Sequence, residues 1–450
     1  SLEYLAAILV DKCLPAPDDA DAFDTRLWES FFTTLLKVVS SDALALETFP
    51  EQKRRAVWKI AGDVREQGAA LLHLAWDAIG WDTTDEERER YKLQRLGGYQ
   101  VQYVPGLVTP IVELCLSVHE GLRHAAVEIL RTMVLSEWDL NRDLSIIETE
   151  IITSLDSLIK KKHLNESIIQ KLFTGELLAQ FEGYSEFDED LSNAVSGLIT
   201  TVDELLDLLI AAQGGSEMES LHTLKLMEYM KHLGREDIFI RYVHQLSQTQ
   251  VAAGEFAEAG LTLQFHADLY DWDLTKPLPE LVDPAFPEQT AFERKESLYF
   301  SIIQHFEDAK AWAHALACYK ELARQYEDTI MDFVKLSRTQ ASMASIYGLI
   351  AKEEKQFPRY FRVFYRGLGF PPTLRDKEYI FEGSPFERMA SFIDRMQREH
   401  PAAQIVSSGD VQDYEGQFLQ ISSVNAYRDI THPVYQRAKV PLSVREHLLV

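Results

Sequence analysis

Residues 357–401, FPRYFRVFYRGLGFPPTLRDKEYIFEGSPFERMASFIDRMQREHP, are the part of the sequence that does not follow a helical pattern. Within them, residues 360–365 are aromatic and β-branched, which favours a pleated strand over a helix. Glycines and prolines then predict a sharp turn before a second strand at residues 378–382, which stops at Gly383. The pattern predicts an antiparallel pair of strands joined by a loop.

A helix is expected to follow these two strands. Residues 384–387, SPFE, predict its start, with Ser384 as N-cap, Pro385 at the first helical position and Glu387 completing a capping box. The next apolar side chains recur at three- and four-residue steps, which is typical of one buried helical face: Phe386, Met389, Ile393 and Met396, with Phe392 beside them. Beyond His400 and Pro401, short strand candidates at residues 403–406 and 417–421, separated by a loop at 407–410, are expected to extend the sheet.

The sequence before this segment is helical in pattern. Up to about residue 141 the helices come in pairs of about 40 residues without strands, which suggests an armadillo- or HEAT-like solenoid. No repeat consensus supports that choice over an irregular helical layer. One stripe is formed by Trp28, Phe31, Phe32, Leu35 and Leu36. Residues 81–98, rich in Asp, Glu and Arg, are expected to form either a solvated loop or a mobile helix insertion.

Two later segments share a spacing of aromatic and small residues. Phe256 precedes Ala259 by three residues, as Trp312 precedes Ala315. Small residues that face large ones let antiparallel helices approach closely, as in tetratricopeptide-like hairpins. The predicted fold class is therefore mostly α, with armadillo/HEAT-like and tetratricopeptide-like antiparallel helices followed by a small antiparallel β lobe.

Composition narrows the functional classes. A net charge of −26 over 450 residues argues against a nucleic-acid-binding protein, because neutralising phosphates needs a basic surface. Residues 351–400 are different: ten Lys or Arg against eight Asp or Glu give +2, which leaves −28 for the rest. That local excess either steers an acidic partner or reflects ordinary solvated arginines. The chain has no apolar run long enough for a membrane span, and its three cysteines are expected to be buried thiols in a reducing cytosol: Cys13, Cys115 and Cys318.

The sequence offers no pattern of residues for covalent catalysis. His119 and His124 lie five apart and are expected to be ordinary helix residues, and the acidic run at residues 188–190 lacks the glycine and glutamate of a calcium loop. The pair Glu353 and Glu354 fits a solvated helix end better than an acid–base site. We expect no metal, no cofactor and no bond-making enzyme.

A small, aromatic-rich sheet is then either a structural joint or a docking surface. Tyr365, Phe370 and Tyr379 are residue types that anchor interfaces, and a loop built on Gly367, Gly369 and Pro371 would let a partner's backbone come close. Because strand side chains alternate between faces, half of the aromatic residues must instead fill the core. The sequence does not say which half.

The order of short motifs in this segment closely resembles the catalytic Dock homology region of the DOCK family of guanine nucleotide exchange factors. The motifs are residues 364–371, FYRGLGFP, then Leu374 and Arg375, then residues 379–383, YIFEG, and 386–388, FER. The resemblance is closest to the Rac-directed subgroup that works with an ELMO-type adaptor. It implies a helical repeat region at residues 1–143, a helical first lobe at 144–355, a β-rich second lobe with one helix at 356–424, and the start of a third lobe at 425–450.

The family resemblance also implies a function. The second lobe would grip switch one of a Rho-family (Rac-type) GTPase and promote GDP release without covalent chemistry, while the first lobe would carry a homodimer contact. The GTPase-binding residues it implies are Phe364, Tyr365, Gly367, Gly369, Phe370, Pro371, Phe381, Gly383 and Arg388. Near Val440 the third lobe would begin its approach to a nucleotide sensor. The protein would be cytoplasmic and recruited to the plasma membrane by parts outside this chain. The alternative is a non-catalytic helical scaffold or adaptor-binding module.

Overall fold

The computed structural model describes most of the chain, namely residues 2–15, 17–161, 167–212, 219–352, 358–371, 374–406, 415–425, 427, 430–437, 439–441 and 444–445. The proposed solvated pair Glu353 and Glu354 and the predicted loop at 407–410 lie outside the described residues. The chain divides into two compact units, one made of Ser1–Gly215 with Leu224–Leu226 and the other of Ser216–Thr223 with Met227–Val450.

The first unit is helical. Its helices are α1 (Leu2–Lys12), α2 (Thr25–Val39), α3 (Glu51–Ala61), α4 (Val64–Ala78), α5 (Asp85–Tyr91), α6 (Val108–Cys115), α7 (Glu120–Asn141), α8 (Ser145–Lys161), α9 (Ser167–Gln180) and α10 (Glu189–Ala211). A two-residue ribbon pairs β1 (Trp81–Asp82) with β2 (Arg95–Leu96). The predicted stripe on α2 is confirmed, because all five of its apolar side chains are buried.

Of the two alternatives for residues 81–98, the helical one is correct. Thr84 begins α5 with a complete capping box to Glu87, and Tyr91 at its end is buried and donates to the Asp139 carboxylate over 3.3 Å. Burial of one aromatic residue holds an otherwise charged helix in place.

Several polar residues singled out in the sequence serve as helix caps in this unit. Asp188 is the N-cap of α10, bonded to the Leu191 N–H and paired with Arg90. His119 was expected inside a helix, but it is the N-cap of α7: its Nδ1 accepts from the Leu122 N–H, and its Nε2 lies 3.1 Å from Asp63. His124 does lie within α7. The His119 ring thus accepts a hydrogen bond from one of the first backbone N–H groups of α7, which have no acceptor within the helix.

The second unit combines helices with a sheet. Its elements are most of α11 (Glu219–His232), then α12 (Glu236–Ala253), α13 (Phe256–Ala267), β3 (Pro277–Leu278), β4 (Gln289–Thr290), α14 (Ala291–Asp308), α15 (Trp312–Asp328), α16 (Phe333–Lys352), β5 (Arg359–Arg366), β6 (Lys377–Gly383), α17 (Met389–Glu399), β7 (Ala403–Val406), β8 (Gln417–Val424) and α18 (Pro433–Gln436). The four predicted strands are thus confirmed as β5 to β8.

The hairpin layer, which we define as α12 to α15, buries the two alanines of the predicted pattern and contains one small-to-large contact beside it. Ala259 and Ala315 are both fully buried. A Cβ atom built on Gly260 of α13 would lie 2.7 Å from the Phe306 ring of α14, so these helices can approach closely only because that position lacks a side chain.

These observations confirm the mostly α, helical-repeat fold class. The lobe boundaries proposed at residues 143/144, 355/356 and 424/425 stay predictions, since the two compact units divide the chain elsewhere. Cys115 and Cys318 are buried free thiols, and Cys13 is a free thiol that is half-buried. Among the described residues, no helix has both the length and the hydropathy needed to cross a bilayer, and no three His, Cys, Asp or Glu side chains are placed to hold a metal ion.

Candidate functional site

The four-stranded sheet has the order β6-β5-β8-β7, with β5 antiparallel to both neighbours and β7 parallel to β8. Because side chains alternate along a strand, Phe361, Val363 and Tyr365 of β5 point to one face. There they join a buried cluster with α17 and the loops: Phe370, Leu374, Phe392, Met396, Ala403 and Leu419. Phe361 stacks on Phe392 of α17 with ring centroids 4.2 Å apart. This face is therefore closed by the lobe's own helix.

The opposite face of the sheet, which we call the open face, carries the alternate residues of β5. Arg362 is exposed, and its Nε donates to the Ser422 hydroxyl over 3.2 Å and lies 3.5 Å from a Glu378 oxygen. The Arg366 guanidinium lies over the Phe364 ring, 4.4 Å from its centroid. The open face is thus a mixture of arginines, carboxylates and a half-buried aromatic ring, and the arginine charge is partly balanced within the lobe.

The loop after β5 is held against the start of β8. The Gly369 N–H donates to the Gly416 carbonyl over 2.8 Å, and the Gln417 side-chain amide donates to the Gly369 carbonyl over 2.9 Å. A Cβ atom on Gly369 would lie 2.7 Å from the Gly416 backbone, and one on Gly367 would clash with the same carbonyl. Glycine is therefore required at both positions by a contact within this chain, the close approach of two backbone segments.

The nine predicted binding residues occupy different environments. Tyr365 and Phe370 are buried in the lobe core, where their rings meet edge to face. Phe381 is half-buried beside Phe392, and the space next to Gly383 is filled by Glu387 and Phe361. Those with accessible surface are Phe364, which is half-buried, and Gly369, Pro371 and Arg388, which are exposed. The structure thus separates residues that shape the lobe from residues that a partner could touch.

The predicted start of α17 at residues 384–387 was wrong. The helix begins at Met389 with Arg388 as its N-cap, and Phe386 is exposed rather than part of the buried stripe. Residues 384–387 form a turn instead, in which the Ser384 N–H donates to the Glu387 carboxylate over 3.2 Å and the Glu387 N–H donates to the Ser384 carbonyl over 3.0 Å. The hydrogen bond from the Ser384 N–H to the Glu387 carboxylate, expected for a capping box, does form, but it closes a single turn and no helix starts there.

Three apolar residues of the lobe are exposed: Leu368 and Ile380, which the sequence did not single out as binding residues, and Phe386, which was expected to be buried. Ile380 is opposite Arg362 in the antiparallel register and so lies on the open face. The sequence did indicate that Ile380 is exposed. Glu378 and Glu382 alternate with Tyr379 and Phe381 and mark the solvent side of β6, and Ile380 lies between the two glutamates on that side. No comparable signal identifies Leu368 or Phe386, which lie in turns.

Burial shapes the ionisation of the groups at the closed face. It lowers the pKa of His400, whose ring contacts Tyr365 and Phe370, and it raises the pKa of the Tyr379 phenol. Both side chains are therefore uncharged at neutral pH. The charges that a partner would meet belong to Arg362, Arg366 and their acidic neighbours on the open face.

Comparison with known proteins identifies relatives over nearly the whole chain. A family model described as "Dedicator of cytokinesis (DOCK) TPR region" matches residues 2–174. The chain is 30% identical over 441 residues to human dedicator of cytokinesis protein 3, covering 94% of this chain and 20% of that protein. It is 29% identical over 437 residues to human dedicator of cytokinesis protein 4, covering 94% and 21%, and 26% identical over 426 residues to DOCK-like protein 1 of Saccharomyces cerevisiae, covering 91% and 22%.

The chain therefore spans about a fifth of the length of these curated relatives. The matches cover 91–94% of the chain and so extend well beyond the helical region covered by the family model. The chain belongs to the dedicator of cytokinesis (DOCK) family.

Proposed function

We propose that this chain provides the GTPase-docking part of a guanine nucleotide exchange factor for a Rho-family, Rac-type GTPase. Membership of the DOCK family supports the class of activity. The observation that carries the proposal is the asymmetry of the four-stranded sheet, with one face sealed by α17 and the other presenting Arg362, Phe364, Arg366 and Ile380.

In this proposal the nine implied residues have two roles. Tyr365, Phe370, Phe381 and the three glycines hold the lobe in shape, whereas Phe364, Pro371 and Arg388 belong to the surface that meets switch one. Ile380 joins that surface because it is exposed and pairs with Arg362 across the strands, and we add Leu368 because it is exposed in the loop that directly follows β5. Half-buried aromatic and arginine side chains are the residue types that contribute most to binding energy at interfaces.

Docking would promote exchange by a shift of populations. An exchange factor binds the nucleotide-free GTPase more tightly than the nucleotide-bound form, and this difference in affinity lowers the GTPase's affinity for GDP by the same factor. No bond is made or broken on the factor, so the binding face needs shape and charge but no nucleophile.

A pulldown with a Rac-type GTPase tests the proposal. The wild-type chain should retain the nucleotide-depleted form better than the GTP-loaded form, and Arg362→Ala with Leu368→Ala should weaken that retention by about tenfold, the loss expected when interface side chains are truncated. The matched control is Arg324→Ala with Leu261→Ala, exposed positions on α15 and α13 rather than on the β lobe. Equal retention of both nucleotide states would refute the proposal.

Phe370 is a poor probe of the same surface. It is buried in the lobe core, so Phe370→Ala, even combined with Arg388→Ala, would change the stability of the lobe as well as any contact. The exposed pair avoids this ambiguity, because neither Arg362 nor Leu368 belongs to the buried cluster.

A scaffold or adaptor-binding module is the second candidate. It is favoured by the internal pairing of Arg362 with Glu378 and Ser422 and by the intramolecular use of the glycines, both of which suit a structural joint. Under this alternative the chain binds an ELMO-type adaptor and shows no preference for the nucleotide-depleted GTPase. The same pulldown, with an ELMO-type protein added as bait, separates the two candidates.

We also propose that the helical first lobe mediates a homodimer in the cytoplasm. Two exposed apolar side chains at the start of α16, Phe333 and Val334, support a contact between two copies of the chain at this helix. Light scattering should give twice the chain mass for the wild type, and a lower mass for Phe333→Ser with Val334→Ser.

A further inference from the structure

The helix α3 differs from its neighbours in having no buried residue at all. α2 before it has six buried residues and α4 after it has seven. Isolated helices shorter than about 12 residues are only marginally stable in water, and most helices in proteins are held by packing of an apolar face. α3 has 11 residues, so a surface that covers it would provide the stabilisation that the fold itself does not.

Both ends of α3 are separated from the adjoining helices by residues that interrupt a helix. Pro50 is its N-cap residue, and Gly62, with φ +68°, is its C-cap. Asp63 then caps α4 by accepting from the Arg65 and Glu66 N–H groups. α3 is therefore a separate helical segment whose exposed faces are not shared with α2 or α4.

The composition of α3 opposes that of the whole chain. Four basic residues and one acidic residue give it a charge of +3, whereas the chain carries −26. The acidic residue, Glu51, pairs with Arg55 one turn later. The same helix carries two large apolar side chains that are also exposed, Trp58 at 56% and Ile60 at 87%.

We propose that α3 binds the surface of a membrane that contains anionic phospholipid. Helices that lie in the membrane interface combine Lys and Arg with Trp and aliphatic residues, and Trp prefers the boundary between headgroups and acyl chains. Lys and Arg stems can cover apolar surface while their charged ends reach the lipid phosphates. At physiological ionic strength charges act over about 8 Å, so acidic side chains of this chain that lie farther than that from the membrane oppose the contact only weakly.

A lipid surface fits better than an acidic protein because the basic and apolar side chains surround the helix instead of defining one narrow stripe. Arg54 and Trp58 are one turn apart, as are Ala56 and Ile60, and these two rows lie on opposite sides of the helix. An acidic protein surface would match the basic residues but leave the exposed apolar side chain of either row, Trp58 or Ile60, in water. A membrane interface receives both kinds of side chain on whichever side of the helix faces it, because Lys and Arg reach the phosphates while Trp or Ile enters the headgroup boundary.

Co-sedimentation with lipid vesicles tests the proposal on the full 450-residue chain. The wild type should bind phosphatidylserine–phosphatidylcholine vesicles and lose that binding in pure phosphatidylcholine. Arg54→Glu with Arg55→Glu should reduce binding at least about tenfold, since each basic residue at an anionic surface contributes roughly a fivefold gain in binding. Trp58→Ala with Ile60→Ala should cause a comparable loss while the circular dichroism of the chain is retained, because neither side chain is buried.

Matched controls separate a local effect from overall charge. Arg324→Glu with Arg338→Glu changes the net charge by the same amount at exposed positions on α15 and α16, and Val282→Ser removes an aliphatic side chain that is 89% exposed. These variants should bind like the wild type. Loss of binding equal to that of the α3 variants, or no preference of the wild type for anionic vesicles, would overturn the proposal. Retention of the wild type on immobilised polyglutamate without vesicle binding would overturn it in favour of an acidic protein partner.

Discussion

The hairpin layer and the β lobe close their interiors with different chemistry. The core of the β lobe consists of aromatic and aliphatic side chains around Phe361, Phe392 and Leu419. The hairpin layer instead buries a chain of polar groups, in which His244 Nε2 lies 2.9 Å from His266 Nδ1 and His266 Nε2 lies 2.9 Å from the Tyr270 hydroxyl. The lobe therefore depends mainly on packing volume, while the hairpin layer depends also on protonation.

A buried arginine adds to this contrast. Arg294 of α14 is 1% exposed, and its guanidinium donates to the carbonyls of Pro279 and Pro287 over 2.9 and 2.8 Å. It thereby ties the segment between α13 and α14 to the helices. A positive charge in this position also opposes protonation of His266.

The largest effect should come from emptying the β-lobe core. Phe392→Ala is expected to destabilise the lobe by ~3–5 kcal/mol, the usual cost of replacing a fully buried phenylalanine. Hydrogen exchange should show lost protection in β5 and β8 and little change in α12 to α15. Phe386→Ala is the matched control, because that ring is 80% exposed. If both variants behaved alike, the lobe would not be built around α17.

Acidification should act on the hairpin layer first. Burial lowers the pKa of His244 to about 4 and, together with the neighbouring His244 and Arg294 charges, lowers that of His266 to about 3. These folded-state pKa values lie below the unfolded value of 6.5, so the unfolded chain binds protons first. The free energy of unfolding is therefore at its full value above pH ~6.5 and decreases as the pH falls from there toward the folded-state values. From pH 6.5 to pH 5 each histidine should remove about 2 kcal/mol, so we expect a loss of ~4 kcal/mol in total, measured as faster hydrogen exchange in α12 and α13.

His266→Gln provides the control for this pH effect. The variant should have a lower stability at pH 7.5 but a shallower decline toward pH 5, because one buried group no longer titrates. An unchanged slope would assign the pH dependence to other groups.

Two glycines with equally close neighbours should respond differently to substitution. A Cβ atom would lie 2.7 Å from a ring carbon at Gly260 and 2.7 Å from backbone at Gly369. Alanine is intrinsically favoured in a helix, which offsets part of the overpacking against the fully buried Phe306 ring, so Gly260→Ala should cost ~1–2 kcal/mol. Backbone cannot move as easily, so Gly369→Ala should cost ~3 kcal/mol in chemical denaturation. A reversed order would show that the loop at Gly369 is the softer of the two.

The smallest effect should come from the open face. Arg362→Ala breaks an exposed ion pair with Glu378, and such pairs contribute little, so the free energy of unfolding should change by less than ~0.5 kcal/mol. Thermal unfolding measures this directly. A substantially larger loss would mean that the open face stabilises the lobe rather than being available for a partner.

The sequence predicted the elements of this fold well where periodicity is strong. The α2 stripe and strands β5 to β8 occur where they were expected, because burial imposes periods of 3.6 and 2 on the residues. The start of α17 was mispredicted because Ser384 and Glu387 form the same hydrogen bond in a turn as in a capping box. Local chemistry alone does not distinguish the two outcomes.

For the candidate site, the sequence identified the lobe but not its accessible side. Alternation shows that Phe364 and Tyr365 face opposite ways, yet only the position of α17 decides that Tyr365 is the buried one. The role of Gly367 and Gly369 depended on Gly416, about 50 residues later in the chain, a contact that no local pattern reveals. Such long-range contacts are set by tertiary packing.

The central position of β5 has a consequence for how the lobe is made. β5 pairs with β6 soon after it in sequence, but its other edge is completed only by β8, whose first residue, Gln417, comes after the whole of α17 and β7. During synthesis, the backbone N–H and C=O groups along that edge of β5 therefore stay unpaired until residues 417–424 have left the ribosome. Any shorter piece ending before them would keep an unpaired strand edge of the kind that drives aggregation.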